Sequence, residues 1–185
     1  MKQEADRIMR NRSLICAAAL AVLAMSGFAQ QPPAQTSLTI EGNNISVKYS
    51  APAVKGRKIF GGVVPYNQVW RIGESTAVAF HTDADIVFKG VSVPKGDYTL
   101  YVLVAADRWQ LIINKQSGQK ALTYDPKMDL GRVAMSLAKP AAPVEVCKLT
   151  LTKTAAMAGK LELAWENTAA SVPFYLDRAP GDSEW

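Results

Sequence analysis

The chain has 185 residues, of which 49% are hydrophobic and 20% are charged, a composition typical of globular rather than disordered proteins. This length allows one domain with a sizeable core and leaves little room for a second. The formal charge of +5 is spread along the chain, so there is no cluster of Lys and Arg to indicate a nucleic-acid-binding surface.

The N-terminal segment has the features of a secretory signal. Four basic residues precede an apolar run over residues 14–25, and small residues occupy the −3 and −1 positions of a cut after Ala29. This arrangement is typical of signal peptides, and the run is shorter than the roughly 20 residues of a membrane-spanning helix. We therefore predict a signal peptide over residues 1–29, export to the periplasm or the medium, and no membrane span after cleavage.

The predicted mature chain carries a charge of +3 and keeps one cysteine, Cys147. An intramolecular disulfide is therefore excluded, and the fold must rest on its hydrophobic core. Residues 30–35 are polar and rich in proline, which indicates a flexible lead-in to the folded part.

From this point the hydrophobic period is two, which predicts β-strands with one buried and one exposed face. Apolar residues alternate with polar ones over four segments, residues 44–49, 132–137, 147–152 and 160–166. The apolar set is expected to face the core, with Leu137, Cys147 and Trp165 among its members. Residues 98–104 are apolar or aromatic on both faces, which predicts a central strand.

Many short strands at hairpin spacing predict an all-β, antiparallel fold. The candidate architectures are a β-sandwich of jelly-roll or immunoglobulin-like type and a partly closed barrel. We place this single domain at residues 36–176 and a C-terminal tail at 177–185.

One segment interrupts the alternation. Residues 50–67 contain two prolines and three glycines, which excludes a regular central strand. A long connection of this kind is functional or disordered, and its aromatic and aliphatic residues argue against disorder. It leads directly into Trp70 and Arg71.

At this segment the sequence resembles a known family. The stretch from Gly56 to Tyr66 followed by residues 69–73 is similar to the opening of a bacterial exported family catalogued as domain of unknown function 2911. The similarity continues through residues 82–83, 94–100, 109, 114–115 and 165–168. It implies an exported domain without an established activity. After Gly73 the family typically continues Ala-Asn-Glu, where this chain has Glu74, Ser75 and Thr76.

The same segment holds the candidate ligand-binding residues. They combine cationic side chains with aromatic ones and one acid: Arg57, Lys58, Tyr66, Trp70, Arg71, Glu74 and, one strand later, His81. Guanidinium groups beside aromatic faces suit a small anionic or sugar ligand. In the structural alternative, Trp70 and Tyr66 fill the core while Arg57 and Arg71 bond loop carbonyls, whose hydrogen bonds must be satisfied.

Catalytic and metal sites are weaker candidates. His81, Asp83 and Asp85 alternate, so an extended strand would present three metal ligands on one face; the alternative is a turn between two strands. Ser117 begins a Ser-x-x-Lys sequence but lacks the partner motifs of penicillin-recognising enzymes. We predict no catalytic residues, no metal and no cofactor.

Three functions follow from these residues. The first is a non-catalytic module that binds a small anionic or sugar ligand. The second is a structural or protein-interaction domain of the cell envelope. The third is a hydrolase that uses His81 and carboxylates. The predicted partner is a small polar ligand or an envelope protein, and not a nucleic acid.

Overall fold

The computed structural model describes residues 33–73, 76–118 and 123–177. In these ranges the chain forms strands and one turn of 3₁₀ helix, Pro126–Met128, without an α-helix. The strands are β1 Pro33–Ile40, β2 Asn43–Ser50, β3 Gln68–Trp70, β4 Val78–Thr82, β5 Ile86–Phe88, β6 Val91–Val93, β7 Gly96–Val104, β8 Trp109–Asn114, β9 Asp129–Ala138, β10 Val144–Ala155, β11 Ala158–Glu166 and β12 Thr168–Leu176. No helix in the described ranges has the length and apolar character needed to cross a bilayer.

The predicted termini lie largely outside this description. The signal peptide at residues 1–29 is not described, and neither is the predicted tail beyond Asp177. Strand β1 begins at Pro33, which pairs with Ser50, so the described sheet starts within the stretch assigned to the lead-in.

The strands pair in one antiparallel sheet with the order β1-β2-β4-β7-β8-β9-β12-β11-β10. Strand β3 pairs with β7, and β5 pairs with β12 and β6. The predicted all-β, antiparallel fold is confirmed. Strand β7 lies in the middle of the first half of the sheet, and six of its seven residues from Tyr98 to Val104 are buried, as the apolar pattern on both faces predicts.

The sheet curls until its two edges meet, which gives a nearly closed, barrel-like shape. Leu151 of β10 donates its backbone N–H to Thr36 Oγ1 of β1 at 3.3 Å. Beyond β2 the chain runs beside the start of β10, where Cys147 N donates to Pro52 O and Val54 N donates to Glu145 O, both at 2.8 Å. The hydrophobic core lies inside this curled sheet.

The alternating strands bury the faces that the sequence predicts. Leu161, Leu163 and Trp165 of β11 are each at most 1% exposed, and Leu149 and Leu151 of β10 are buried with them. Cys147 is a buried free thiol, as predicted, and burial raises the pKa of this thiol to about 12. It is therefore protonated and unreactive at neutral pH.

One apolar position departs from the alternation. Leu137 was expected in the core, but it is 38% exposed, so that expectation is wrong. Pairing between β9 and β8 ends at Met135 opposite Trp109, and residues 136–138 continue beside β12 alone. Leu137 thus points to the same side of β9 as Val133 and Met135, but it lies past the end of the pairing with β8 and stays partly exposed.

Four aromatic side chains fill the barrel where the irregular segment crosses it. Phe60 lies 4.5 Å from Trp109, 6.0 Å from Trp70 and 6.2 Å from Trp165, between ring centroids. The rings of Trp70 and Trp165 are stacked at 5.6 Å. Residues 51–67 form turns and isolated bridges rather than a strand, and they bring Phe60 into this aromatic cluster.

Candidate functional site

Arg57 and Lys58 lie on the exposed loop that precedes Phe60. The Arg57 guanidinium donates from Nε to Val54 O at 3.1 Å and from Nη2 to Ala53 O at 2.8 Å. Those carbonyls belong to the turn that leads into the loop. These are the contacts that the structural alternative expects of Arg57.

Tyr66 and Trp70 are anchored by the same loop. Tyr66 donates its hydroxyl to Phe60 O at 3.3 Å and is 40% exposed. Its ring lies against Gly61, where an added Cβ would come within 2.6 Å of Tyr66 Cε2. Trp70 is half-buried in the aromatic cluster. Of the two, only Tyr66 presents a substantial ring surface to solvent.

The side chain of Arg71 lies on the outer face of the sheet, on the side opposite the core. It directly follows Trp70, which pairs with Val102, so the next residue of β7 beside it is Tyr101. Its Nε donates to Gly73 O at 3.2 Å. Glu74, the acidic candidate, lies outside the described residues.

Register places Tyr101 and Arg132 on the same outer face as Arg71. Tyr101 of β7 is opposite Ile112 of β8, and Ile112 is opposite Arg132 of β9. The ring of Tyr124 covers Tyr101, with 4.9 Å between centroids. We call the side chains gathered here the outer-face cluster: Arg71, Tyr101, Tyr124, Asp129 and Arg132.

Asp129 organises one half of this cluster. Its Oδ2 accepts from the Tyr124 hydroxyl at 2.7 Å and from Arg132 Nε and Nη2 at 3.0 and 2.9 Å. Its Oδ1 accepts from Nδ2 of the buried Asn114 at 2.9 Å. Arg132 Nη2 also donates to the Tyr124 oxygen at 2.8 Å. Asp129 is thus already engaged by three side chains, and it holds Arg132 and Tyr124 in place.

Tyr101 stands out in the other half because its hydroxyl has no hydrogen-bond partner among the described residues. The side chain is only 1% exposed, so water does not readily replace that partner. Burial raises the pKa of Tyr101; the charge of Asp129 raises it further and that of Arg71 lowers it. Burial and the hydrogen bond to Asp129 raise the pKa of Tyr124 to about 12. Both hydroxyls are therefore protonated donors at neutral pH.

His81 lies elsewhere, at the end of β4 beside the start of β7. Its Nδ1 is 2.8 Å from Asp97 Oδ1 and its Nε2 is 2.9 Å from Asp83 Oδ1. Asp83 Oδ2 also accepts from Asn44 N at 2.9 Å. Because carboxylates only accept, both ring nitrogens donate to them when the ring is protonated, so these contacts favour the protonated form.

Asp85 does not join His81. It accepts from Lys95 N at 2.7 Å, and residues 83–85 form the predicted turn between β4 and β5. The described part of the chain holds no group of three His, Cys, Asp or Glu side chains placed to bind a metal ion.

The His81 contacts predict a pH-dependent stability. Hydrogen bonds to Asp83, then to Asp97, raise the pKa of His81 above 6.5. The stabilisation is therefore complete below about pH 6.5 and is lost as pH rises through the raised pKa. We expect the melting temperature to fall as the pH rises above the ordinary pKa of histidine, about 6.5, as measured by differential scanning fluorimetry.

The control for this prediction is His81→Gln. His81 is the one histidine of the chain, so the variant should lose this fall in melting temperature. An unchanged fall in His81→Gln would show that another group is responsible.

The candidates thus occupy separate places. His81 is opposite Asp97 of β7, and Trp70 is opposite Val102; at roughly 3.3 Å per residue these positions are about 17 Å apart along the strand. Among the candidates that the structure describes, only Arg71 joins a polar cluster that holds a buried hydroxyl without a partner in the described ranges. The sequence gives no sign of Tyr101 beyond its place in a central strand, whereas Asp129 and Arg132 carry the weak signal of opposite charges three residues apart.

Comparison with known proteins identifies the family of this chain. A family model described as protein of unknown function (DUF2911) matches residues 31–174. No curated protein and no solved structure matches the chain. The match includes all the described strands except the end of β12, and the resemblance seen in the sequence is confirmed: the chain belongs to the DUF2911 family.

Proposed function

We propose that the protein is a non-catalytic module that binds a small anionic ligand at the outer-face cluster. The main observation in support is that the Tyr101 hydroxyl is buried without a hydrogen-bond partner among the described residues. A buried donor without an acceptor costs about 1–3 kcal/mol. A ligand oxygen that accepts from this hydroxyl would remove that cost when it binds.

The charges around Tyr101 favour an anion. Arg71 follows β3 at the side of Tyr101, and Arg132 lies two strands away on the same face. Asp129, the acidic member, already accepts from Asn114, Tyr124 and Arg132. Guanidinium groups and tyrosine hydroxyls bind carboxylate and phosphate oxygens through charge-assisted hydrogen bonds. The surrounding strands provide a rigid support for such a site.

The hydrolase alternative is less well supported. A general base needs an unprotonated nitrogen within reach of the proton that it removes. Both nitrogens of His81 are engaged by carboxylates, and Asp83 and Asp97 are its nearest polar neighbours. His81 thus links β4 to β7 through Asp97 and, through Asp83, to Asn44 of β2, and both of its ring nitrogens are in contact with carboxylates.

Tyr101→Phe tests the proposed site against the structural alternative. The variant removes the unsatisfied hydroxyl and keeps the ring, so we expect the ligand-free protein to gain about 1 kcal/mol in free energy of unfolding. The same variant should bind anions about tenfold more weakly, which corresponds to about 1.4 kcal/mol. The probes are inorganic phosphate and citrate, measured by calorimetric titration at low ionic strength and by denaturant unfolding.

Tyr175→Phe is the matched control. Because Tyr175 is 50% exposed, this substitution should change neither the free energy of unfolding nor the affinity for anions. Arg71→Gln should weaken anion binding as Tyr101→Phe does. If Tyr101→Phe lowers stability, the hydroxyl has a structural partner. If neither phosphate nor citrate binds the folded wild-type protein, the structural or protein-interaction role is favoured.

We also propose that the module acts outside the cytoplasm, in the periplasm or the medium. The support is the signal-like pattern of residues 1–29. Intact mass spectrometry of the protein from its native host should show a mature chain that begins at or near Gln30. A mass that retains Met1 to Ala29 would contradict the proposed export.

A further inference from the structure

A recess lies at the end of the curled sheet, where β7, β9 and β11 finish and β8 and β12 begin. It has a volume of about 420 Å³, within the range of about 300–1,000 Å³ typical of small-molecule sites. We call it the end pocket and define it by its principal lining residues, Phe60, Tyr66, Trp109, Leu137, Lys139 and Asn167.

The end pocket has a fixed aromatic wall. The Tyr66 hydroxyl donates to Phe60 O, and the ring lies against Gly61. Phe60 and Trp109 behind it are packed in the aromatic cluster at 4.5 Å. Phe60 and Trp109 are buried, whereas Tyr66 is 40% exposed. Because the Tyr66 ring is already held in place, a ligand that stacks on it loses little affinity to ordering of the site.

The rim is polar, in contrast to this wall. Asn167 occupies the tight turn between β11 and β12, and Lys139 follows β9 directly; both are exposed. An amide and an ammonium group that line the same recess as the aromatic Tyr66 complement a ring with an apolar face and a polar edge. A pyranose has that shape, since its C–H groups stack on aromatic rings while its hydroxyls reach the rim.

From this arrangement we infer that the end pocket binds an acidic saccharide, with a pyranose ring stacked on Tyr66 and its carboxylate paired with Lys139. The inference does not depend on the outer-face cluster, which lies on the outside of the sheet. Leu137 also contributes to the proposed site. It is exposed only because β9 extends past β8, and its side chain completes the apolar side of the recess.

The test is calorimetric titration of the full mature chain with trigalacturonic acid, and with maltotriose as the neutral comparison. We expect trigalacturonic acid to bind at least tenfold more tightly than maltotriose. Lys139→Ala should remove that difference, and Tyr66→Ala should weaken both sugars at least tenfold. Lys95→Ala, an exposed lysine at the opposite end of β7, is the matched control and should leave binding unchanged.

Lys139→Ala is a surface change that leaves the core intact, so it decides the question even if Tyr66→Ala does not fold. Absence of binding by the folded wild-type protein at millimolar sugar would overturn the inference. Equal binding by wild type and Lys139→Ala would overturn it as well. If Arg71→Gln abolishes trigalacturonate binding, the sugar occupies the outer-face cluster; the end pocket is then refuted and the proposed function is retained.

Discussion

Trp165→Ala is expected to lower the free energy of unfolding by about 3–4 kcal/mol, within the range for buried aromatic residues replaced by alanine. Trp165 is 1% exposed, and its ring is stacked on Trp70 and meets the edge of Phe60. Truncation to alanine would leave a cavity and would remove the packing contacts that Trp165 makes with both neighbouring rings. The Trp165 Nε1 donor has no partner among the described residues, so its removal offsets part of the loss and places the value below the upper end of the range.

Denaturant unfolding monitored by circular dichroism measures this effect. The control is Glu162→Ala on the same strand, where the carboxylate is 2.8 Å from Lys160 Nζ and 35% exposed. A pair of this exposure contributes roughly 0–1 kcal/mol. Similar midpoints for the two variants would mean that the inward face of β11 has been assigned incorrectly.

Gly62→Ala is expected to destabilise the protein by roughly 2–3 kcal/mol, near the upper end of the usual range for single substitutions. A Cβ at this position would lie 2.3 Å from the carbonyl oxygen of Lys58. That oxygen also accepts from Val63 N at 3.1 Å, so the turn cannot move away without losing a hydrogen bond. Opening the turn would displace Phe60, and the aromatic cluster would lose its central ring.

Gly56→Ala separates this packing effect from backbone strain. Gly56 has φ +69° and nothing within 4 Å of an added Cβ. Its substitution should therefore lower the free energy of unfolding only by the strain of alanine in a left-handed backbone conformation, about 1 kcal/mol. Thermal melts of both variants provide the comparison. If Gly56→Ala is the more damaging of the two, the turn at Gly62 is looser than its contacts indicate.

Much of the fold follows from local patterns in the sequence. Strands β10 and β11 and the burial of Cys147 and Trp165 agree with the alternation of apolar side chains, because side-chain direction in a strand depends only on position along that strand. Strand β7 agrees with its run of residues that are apolar on both faces. Glycines and prolines over residues 50–67 likewise predict an irregular connection. The family resemblance rests on this same contiguous block, so it too is available without a structure.

The candidate sites depend on register between strands that are distant in sequence. Tyr101 and Arg132 are neighbours only because β8 aligns both with Ile112, and Asp97 binds His81 only because β7 pairs with β4. Leu137 is exposed because β8 ends before it, a fact about the partner strand rather than about β9. The sequence by itself determined which residues face inward, since period two is a local property. Only the tertiary structure decided which outward residues meet, because strand pairing is set by packing across the whole sheet.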